Sequence, residues 1–149
     1  MSFTMDGSER EAFLADLHVG ILSVNQSGRA PLAVPVWYSY QPGGTVSVMT
    51  PGDSRKARCL NESGRFSLCV QSEIPMYKYV SVEGAITSTD HPVDPDERRA
   101  LAHRYLGPEG GDLFLAATAE QVDREIVYRM TPERWFSSDF NKAIPEEYR

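Results

Sequence analysis

Cysteine is scarce in this chain: of 149 residues, only Cys59 and Cys69 carry a thiol. Two cysteines are too few for a disulfide scaffold, and their spacing is not CxxC. Neither has a histidine or other base arranged nearby in sequence, so both read as small packing residues. Histidine is equally thin, and His18, His91 and His103 are too scattered to form a metal-ligand pattern. No run approaches the roughly 18 apolar residues that a membrane helix needs. The start, MSFTMDGSER, has no basic segment leading into an apolar one, so the expectation is a cytoplasmic protein without a signal peptide. Basic charge is in deficit: 15 Lys and Arg against 21 Asp and Glu leave a net charge of −6. That balance argues against general nucleic-acid binding, which needs clustered Lys and Arg to neutralise phosphates. GxGxxG and GxSxG are also missing, so neither a Rossmann cofactor site nor a hydrolase nucleophile elbow is supported.

What remains is ordinary globular material. Hydrophobic residues at 41% and charged residues at 24% suit one domain over residues 1–149 with a core of its own. Phe13, Leu14 and Leu17 predict a short helix over Ser8–Leu17, with Ser8 as N-cap and Glu11 completing a capping box. Alternating patterns then predict strands at His18–Asn25, Pro31–Tyr40 and Thr45–Thr50. The first two are joined by the turn Gln26–Arg29, the second pair by the hairpin turn Gln41-Pro42-Gly43-Gly44. Pro35 marks an edge position or a bulge. A short helix follows at Asp53–Leu60, then strands at Arg65–Gln71 and Tyr77–Ser88, the latter with a bend or bulge at Gly84. Asp94-Pro95-Asp96-Glu97 opens a helix to Tyr105, and a further helical segment covers Asp112–Gln121. Strands at Glu125–Met130 and Arg134–Ser138 precede a polar tail. The sum is a mainly β protein with minor α: a six- to seven-stranded antiparallel barrel with flanking helices.

Chemistry concentrates where the third strand runs into the short helix. Met49-Thr50-Pro51-Gly52-Asp53-Ser54-Arg55-Lys56-Ala57-Arg58 combines a helix start, a hydroxyl and basic side chains. Free N–H groups and the positive dipole end make that start suited to phosphate. The same residues also suit a capped surface helix with solvated charges. Upstream, Trp37 and Tyr38 point to opposite faces of their strand. One of them therefore faces a pocket or a subunit contact, unless both faces are simply covered by protein. No general acid, base or nucleophile constellation emerges, and the catalytic residues stay unassigned.

Several segments, in this order and spacing, resemble the pyridoxamine 5'-phosphate oxidase-like superfamily of FMN-binding split β-barrels. They are Gly20-Ile21-Leu22-Ser23-Val24 with Gly28-Arg29-Ala30-Pro31, Val36-Trp37-Tyr38, Asp53–Leu60, Val80-Ser81-Val82-Glu83-Gly84 and Pro132-Glu133-Arg134-Trp135. The chain is most similar to the flavin- and deazaflavin-dependent oxidoreductases of that superfamily. The resemblance implies a homodimer with cofactor sites at the subunit interface. It implies coenzyme F420 or FMN, with F420 preferred, exchanging hydride with a small-molecule substrate. The alternative is a non-catalytic flavin- or haem-binding protein. Carried over by position, Ser54, Arg55 and Lys56 would hold the cofactor phosphate. Val36, Trp37, Tyr38, Met49, Thr50 and Pro51 would lie along the ring. Gln71 would join from the fourth strand, with Lys78 and Trp135 as outer candidates. The chain departs from pyridoxamine-phosphate oxidases proper in ending Ala143-Ile144-Pro145-Glu146-Glu147-Tyr148-Arg149, without their Arg-rich substrate motif.

Overall fold

A computed structural model describes residues 2–149. Its strands are β1 (Gly20–Gln26), β2 (Arg29–Val36), β3 (Val46–Pro51), β4 (Arg65–Ser72), β5 (Lys78–Asp90), β6 (Glu125–Met130) and β7 (Arg134–Asp139). Its helices are α1 (Gly7–Ala15), α2 (Arg55–Ser63) and α3 (Pro95–Ala117). Every ladder is antiparallel, in the order β2-β1-β4-β5-β6-β3, with β7 paired to β5. The predicted mainly β architecture of six to seven antiparallel strands is therefore what forms.

Alternation along the strands builds the interior. Leu22 and Val24 of β1, Phe66, Leu68 and Val70 of β4, and Val80 and Val82 of β5 all turn inward and are buried. Val46 and Val48 of β3 meet Tyr128 and Met130 of β6 from the other side. Leu14 of α1 and Leu60 of α2 close the core. Burying each such side chain contributes about 1.5–3 kcal/mol, which offsets the entropy of ordering the strands.

β5 is long enough to serve two halves of the barrel. Its first half lies between β4 and β7, and its second half pairs with β6. Gly84 sits at the changeover, where a Cβ would lie 1.9 Å from the Thr131 carbonyl oxygen. The absent side chain lets the entry to β7 cross directly over β5.

Local turn chemistry matched in most places, but two partnerships differ. The turn at residues 41–44 forms, with Gly43 at φ 82° and Gly44 N–H donating to Gln41 O at 2.8 Å. It does not join a regular hairpin, however. β2 ends at Val36, and beyond it a single bridge, Ser39 with Ser47, reaches β3, whose ladder partner is β6. Pro35 does lie on an edge strand, opposite Ile21. The first helix starts earlier than predicted: Asp6 is the N-cap, and Glu9 rather than Glu11 closes the capping box. Leu17 therefore falls beyond the helix and is exposed. Glu11 instead accepts hydrogen bonds from Tyr40 Oη and Gly43 N–H, tying α1 to the 41–44 turn.

The two predicted helices at 94–105 and 112–121 fall largely within α3, but its second half stops at Ala117, and Ala119–Arg124 form a 3-10 segment instead. The halves of α3 meet at Gly107, whose φ of 77° breaks the helical path, with Pro108 beginning the second half. His103 Nε2 and Asp112 Oδ1, 2.7 Å apart, pin the halves together, and Gly111 lies against His103. Among the described residues, no helix is long and apolar enough to cross a membrane.

Candidate functional site

The start of α2 is fixed by its own cap. Ser54 holds an extended backbone, and its hydroxyl accepts from Ala57 N–H at 3.1 Å while sharing a 2.8 Å hydrogen bond with Thr50 Oγ1. β3 thus delivers the chain to the helix in one orientation. The N–H groups of Arg55 and Lys56, first and second in the helix, have no intrahelical acceptor. No acidic residue occupies this first turn, so the positive end of the dipole is left uncompensated.

Lys56 borders a cavity of about 460 Å³. Pro35, Val36 and Trp37, from the end of β2, form one wall, and Met49 and Pro51 of β3 form the next. α3 supplies the opposite side through Leu101, Ala102 and Phe114, while Val19 stands at the rim. Trp37 stacks on Tyr105 of α3, with ring centroids 5.0 Å apart and planes 4° apart, and Phe114 tilts against it at 5.1 Å. Tyr105 Oη donates to His18 O at 2.6 Å and accepts from Tyr38 N–H at 3.1 Å. These bonds fix the stack against the edge of the barrel, and burial pushes the Tyr105 phenol above its ordinary pKa.

Beneath the aromatic wall lies a buried ion pair. Arg98 Nε donates to Glu125 Oε1 at 2.9 Å, and Arg98 Nη2 donates to Thr118 Oγ1 at 2.7 Å. The guanidinium also stands 5.8 Å from the centre of the Phe114 ring. At 5% exposure Arg98 needs that carboxylate, because a buried lone charge is costly. Of the ionisable groups that line the cavity, Arg98 and Glu125 therefore hold each other. Lys56 is the one whose charge is free to meet a ligand, among the described residues.

The residues singled out in the sequence divide into three groups. Val36, Trp37, Met49, Pro51 and Lys56 converge on the cavity. Tyr38, Thr50 and Ser54 support it from behind. Tyr38 is fully buried in the barrel, with Oη donating to Leu14 O at 2.6 Å, and desolvation raises its pKa well above the usual phenol value. It therefore does not border a ligand in this cavity, and the two-faced strand resolves with Trp37 toward the pocket and Tyr38 inward. Arg55, Gln71, Lys78 and Trp135 lie elsewhere. Arg55 faces a second cavity across α2, Gln71 is exposed on β4 opposite Tyr79, and Trp135 packs against Tyr40. Lys78 stands over the Phe13 ring.

The α3 side of the cavity was not foreseen. A signal for it exists in the sequence: Arg98, Leu101, Ala102 and Tyr105 occupy i, i+3, i+4 and i+7, so an arginine lies within an apolar helical stripe. A charge there needs a buried partner or a ligand.

A split antiparallel barrel with a mixed apolar and cationic cavity at the start of its short helix places the chain in the split-barrel class. The family profile described as pyridoxamine 5'-phosphate oxidase matches residues 7–139, and the chain belongs to that family. It is 30% identical over 99 residues to the F420H(2)-dependent biliverdin reductase of Mycobacterium tuberculosis (strain CDC 1551 / Oshkosh), a match spanning 65% of this chain and 70% of the relative. Among solved structures, it resembles a conserved hypothetical protein from Mycobacterium tuberculosis. There the TM-score is 0.74 at 20% identity, covering 97% of this chain and 92% of the other. A structure described as an F420 reductase aligns with TM-score 0.70 at 16% identity, covering 85% of this chain and 94% of the other. These structural likenesses concern the fold.

Proposed function

We propose that this chain is a homodimeric oxidoreductase that uses coenzyme F420 or FMN, with F420 preferred, to exchange hydride with a small organic substrate. The observation that carries this reading is the cavity itself: flat aromatic and aliphatic walls with a free lysine at a helix start. Its volume of about 460 Å³ falls within the roughly 300–1,000 Å³ typical of ligand sites. The residues fit a planar heterocycle with an anionic tail. Trp37, Met49 and Phe114 offer apolar surface that excludes water and restricts a flat ring to one orientation. The Lys56 ammonium and the open N–H groups at the start of α2 suit a phosphate. Arg98 and Glu125, locked to each other, keep the floor of the cavity fixed. A bound flavin or deazaflavin supplies the hydride chemistry, and the protein contributes binding, orientation and electrostatics. That division agrees with a cavity whose acid and base are paired with each other. The curated relative's dependence on F420 supports the preference for the deazaflavin. Gln71, on the outer sheet face, is assigned to the partner's site in the dimer.

The test is titration of the purified protein with F420, FMN, FAD and haemin, followed by turnover of the reduced cofactor against a panel of unsaturated acceptors. F420 binding with acceptor-dependent reoxidation is expected. Tight binding with no turnover across the panel would favour a carrier or sensor, and no binding to any of the four sinks the reading.

A further inference from the structure

The ion pair at the floor of the cavity is only half used by the protein. An arginine and a carboxylate pair most strongly fork to fork, through two parallel N–H···O bonds. Here a single bond joins them, from Arg98 Nε to Glu125 Oε1 at 2.9 Å. Arg98 Nη2 turns to Thr118 instead, donating to its Oγ1 at 2.7 Å and to its carbonyl oxygen at 3.3 Å. Two atoms are left over. Arg98 Nη1, a donor, and Glu125 Oε2, an acceptor, take part in no hydrogen bond among the described residues. Neither is sealed away: the polar side-chain atom that is both sealed in and without a partner, among the described residues, is Arg10 Nε of α1. Nη1 and Oε2 therefore keep an outlet, and the cavity is the space that both residues line. Gln121, from the 3-10 segment Ala119–Arg124, adds an uncharged amide to the same lining.

A strut that served folding alone would close both bonds, because a desolvated donor or acceptor costs free energy until something fills it. The two Thr118 contacts fix the guanidinium in the half-used pose. The charges of the pair cancel, so it offers a ligand hydrogen bonds without net attraction for either sign. An anion at Nη1 would be repelled by Glu125, and a cation at Oε2 by Arg98. The group that matches is neutral and presents an acceptor and a donor together, a C=O beside an N–H. The Trp37 and Phe114 rings at the same cavity favour a planar bearer of that edge.

We infer that Arg98 and Glu125 form a recognition pair for the N–H and C=O edge of a planar lactam or imide, with Arg98 Nη1 donating to the carbonyl oxygen and Glu125 Oε2 accepting from the N–H. Both the pyrimidinedione edge of a flavin-type ring and a lactam-bearing substrate carry this chemistry. The pair stands on its open atoms alone. Its place in a hydride-transferring enzyme rests on the reading of function above.

The experiment uses 2-quinolone, a planar lactam, and coumarin, its isosteric lactone, which keeps the carbonyl and lacks the N–H. Each is titrated calorimetrically into free protein and into protein saturated with FMN or F420. Wild type is expected to bind 2-quinolone about tenfold more tightly than coumarin. That Kd should stay within about twofold between low and high salt, because the ligand is neutral. In R98M/E125L, shown to be folded by circular dichroism, the two ligands are expected to bind within about twofold of each other. E125Q is the second variant: its amide keeps an oxygen for Arg98 and sets an NH2 donor where Oε2 stood, so the preference for the lactam should disappear. No preference for 2-quinolone in either form of wild type, or a preference that survives in a folded variant, overturns the pair as a recognition site. A preference seen in free protein and abolished by saturating cofactor assigns the edge to the cofactor ring. A preference that persists in loaded protein assigns it to the substrate. If neither cofactor binds, the functional reading fails while the titrations of free protein still decide the pair.

Discussion

Single residues carry two distinct loads in this protein, access to the cavity and permission for the fold. Lys56 carries the first. Lys56→Ala is expected to weaken cofactor binding by about 1.5–3 kcal/mol, the range for a lost charge-assisted bond. That is roughly a 10- to 150-fold rise in Kd. The Tm of the free protein should stay within about 1 °C, because Lys56 makes no ion pair that folding relies on. An unchanged Kd in the folded variant would place the anion elsewhere. Gly84 carries the second load. Gly84→Ala sets a methyl group 1.9 Å from the Thr131 carbonyl oxygen, and the 131–133 segment cannot yield without losing the hydrogen bonds from Thr131 N–H to Ala85 O and from Glu133 N–H to Glu83 O. Destabilisation of about 3 kcal/mol, at the upper end for overpacking, is expected in urea denaturation. The sequence marked both residues, one through its place at a basic helix start and the other through a glycine inside a strand. Arg98 escaped notice because its partner Glu125 lies 27 positions away, where only the folded chain brings it close.

At the scale of elements, strands and helices were readable wherever the deciding interaction is local. The β1–β2 turn and the Asp94-Pro95 helix start depend on neighbours within four residues, and each formed as predicted, while the short helix after β3 formed within about three residues of its predicted bounds. The pairing of β3 with β6 joins segments about 80 residues apart and leaves no local trace, so proximity favoured β2 instead. Likewise, Gly107 offered a break between two helices but not how the second half returns against the first. That return places Phe114 over Trp37, and Arg98 with Glu125 holds the base of α3 to the start of β6. The pair is therefore a coupling between elements, and a double-mutant cycle can measure it. Arg98→Met leaves the Glu125 carboxylate buried and alone, at a cost of about 3–5 kcal/mol. Arg98→Met with Glu125→Leu replaces both charges by apolar volume and is expected to regain at least about 2 kcal/mol of that loss. Strictly additive losses in urea melts would show that the pair does not join α3 to the sheet.

The whole molecule presents an outer sheet face that the single chain leaves bare. Pro35, Ile21, Cys69, Ser81 and Phe136 are successive cross-strand partners, so they form one row across β2, β1, β4, β5 and β7. Four strand spacings make that row about 19 Å long. Ile21 is 43% exposed and Phe136 60%, and Val19, two residues before Ile21, is 56% exposed. Neighbouring apolar residues on a sheet face mark an interaction surface more often than a solvated one. Val19 and Pro35 belong both to this face and to the lining of the cavity. A second copy seated on the face would therefore approach the mouth of the pocket, and assembly and ligand binding would be linked. Sedimentation velocity at micromolar concentration is expected to give a dimer for wild type and a monomer for Ile21→Glu with Phe136→Asp. Neither residue lines the cavity, so a direct contact effect on the ligand is absent. The double variant should nonetheless bind cofactor about tenfold more weakly, since the rim at Val19 and Pro35 loses its cover. A wild-type monomer with full cofactor affinity would instead mean that one chain completes its own site.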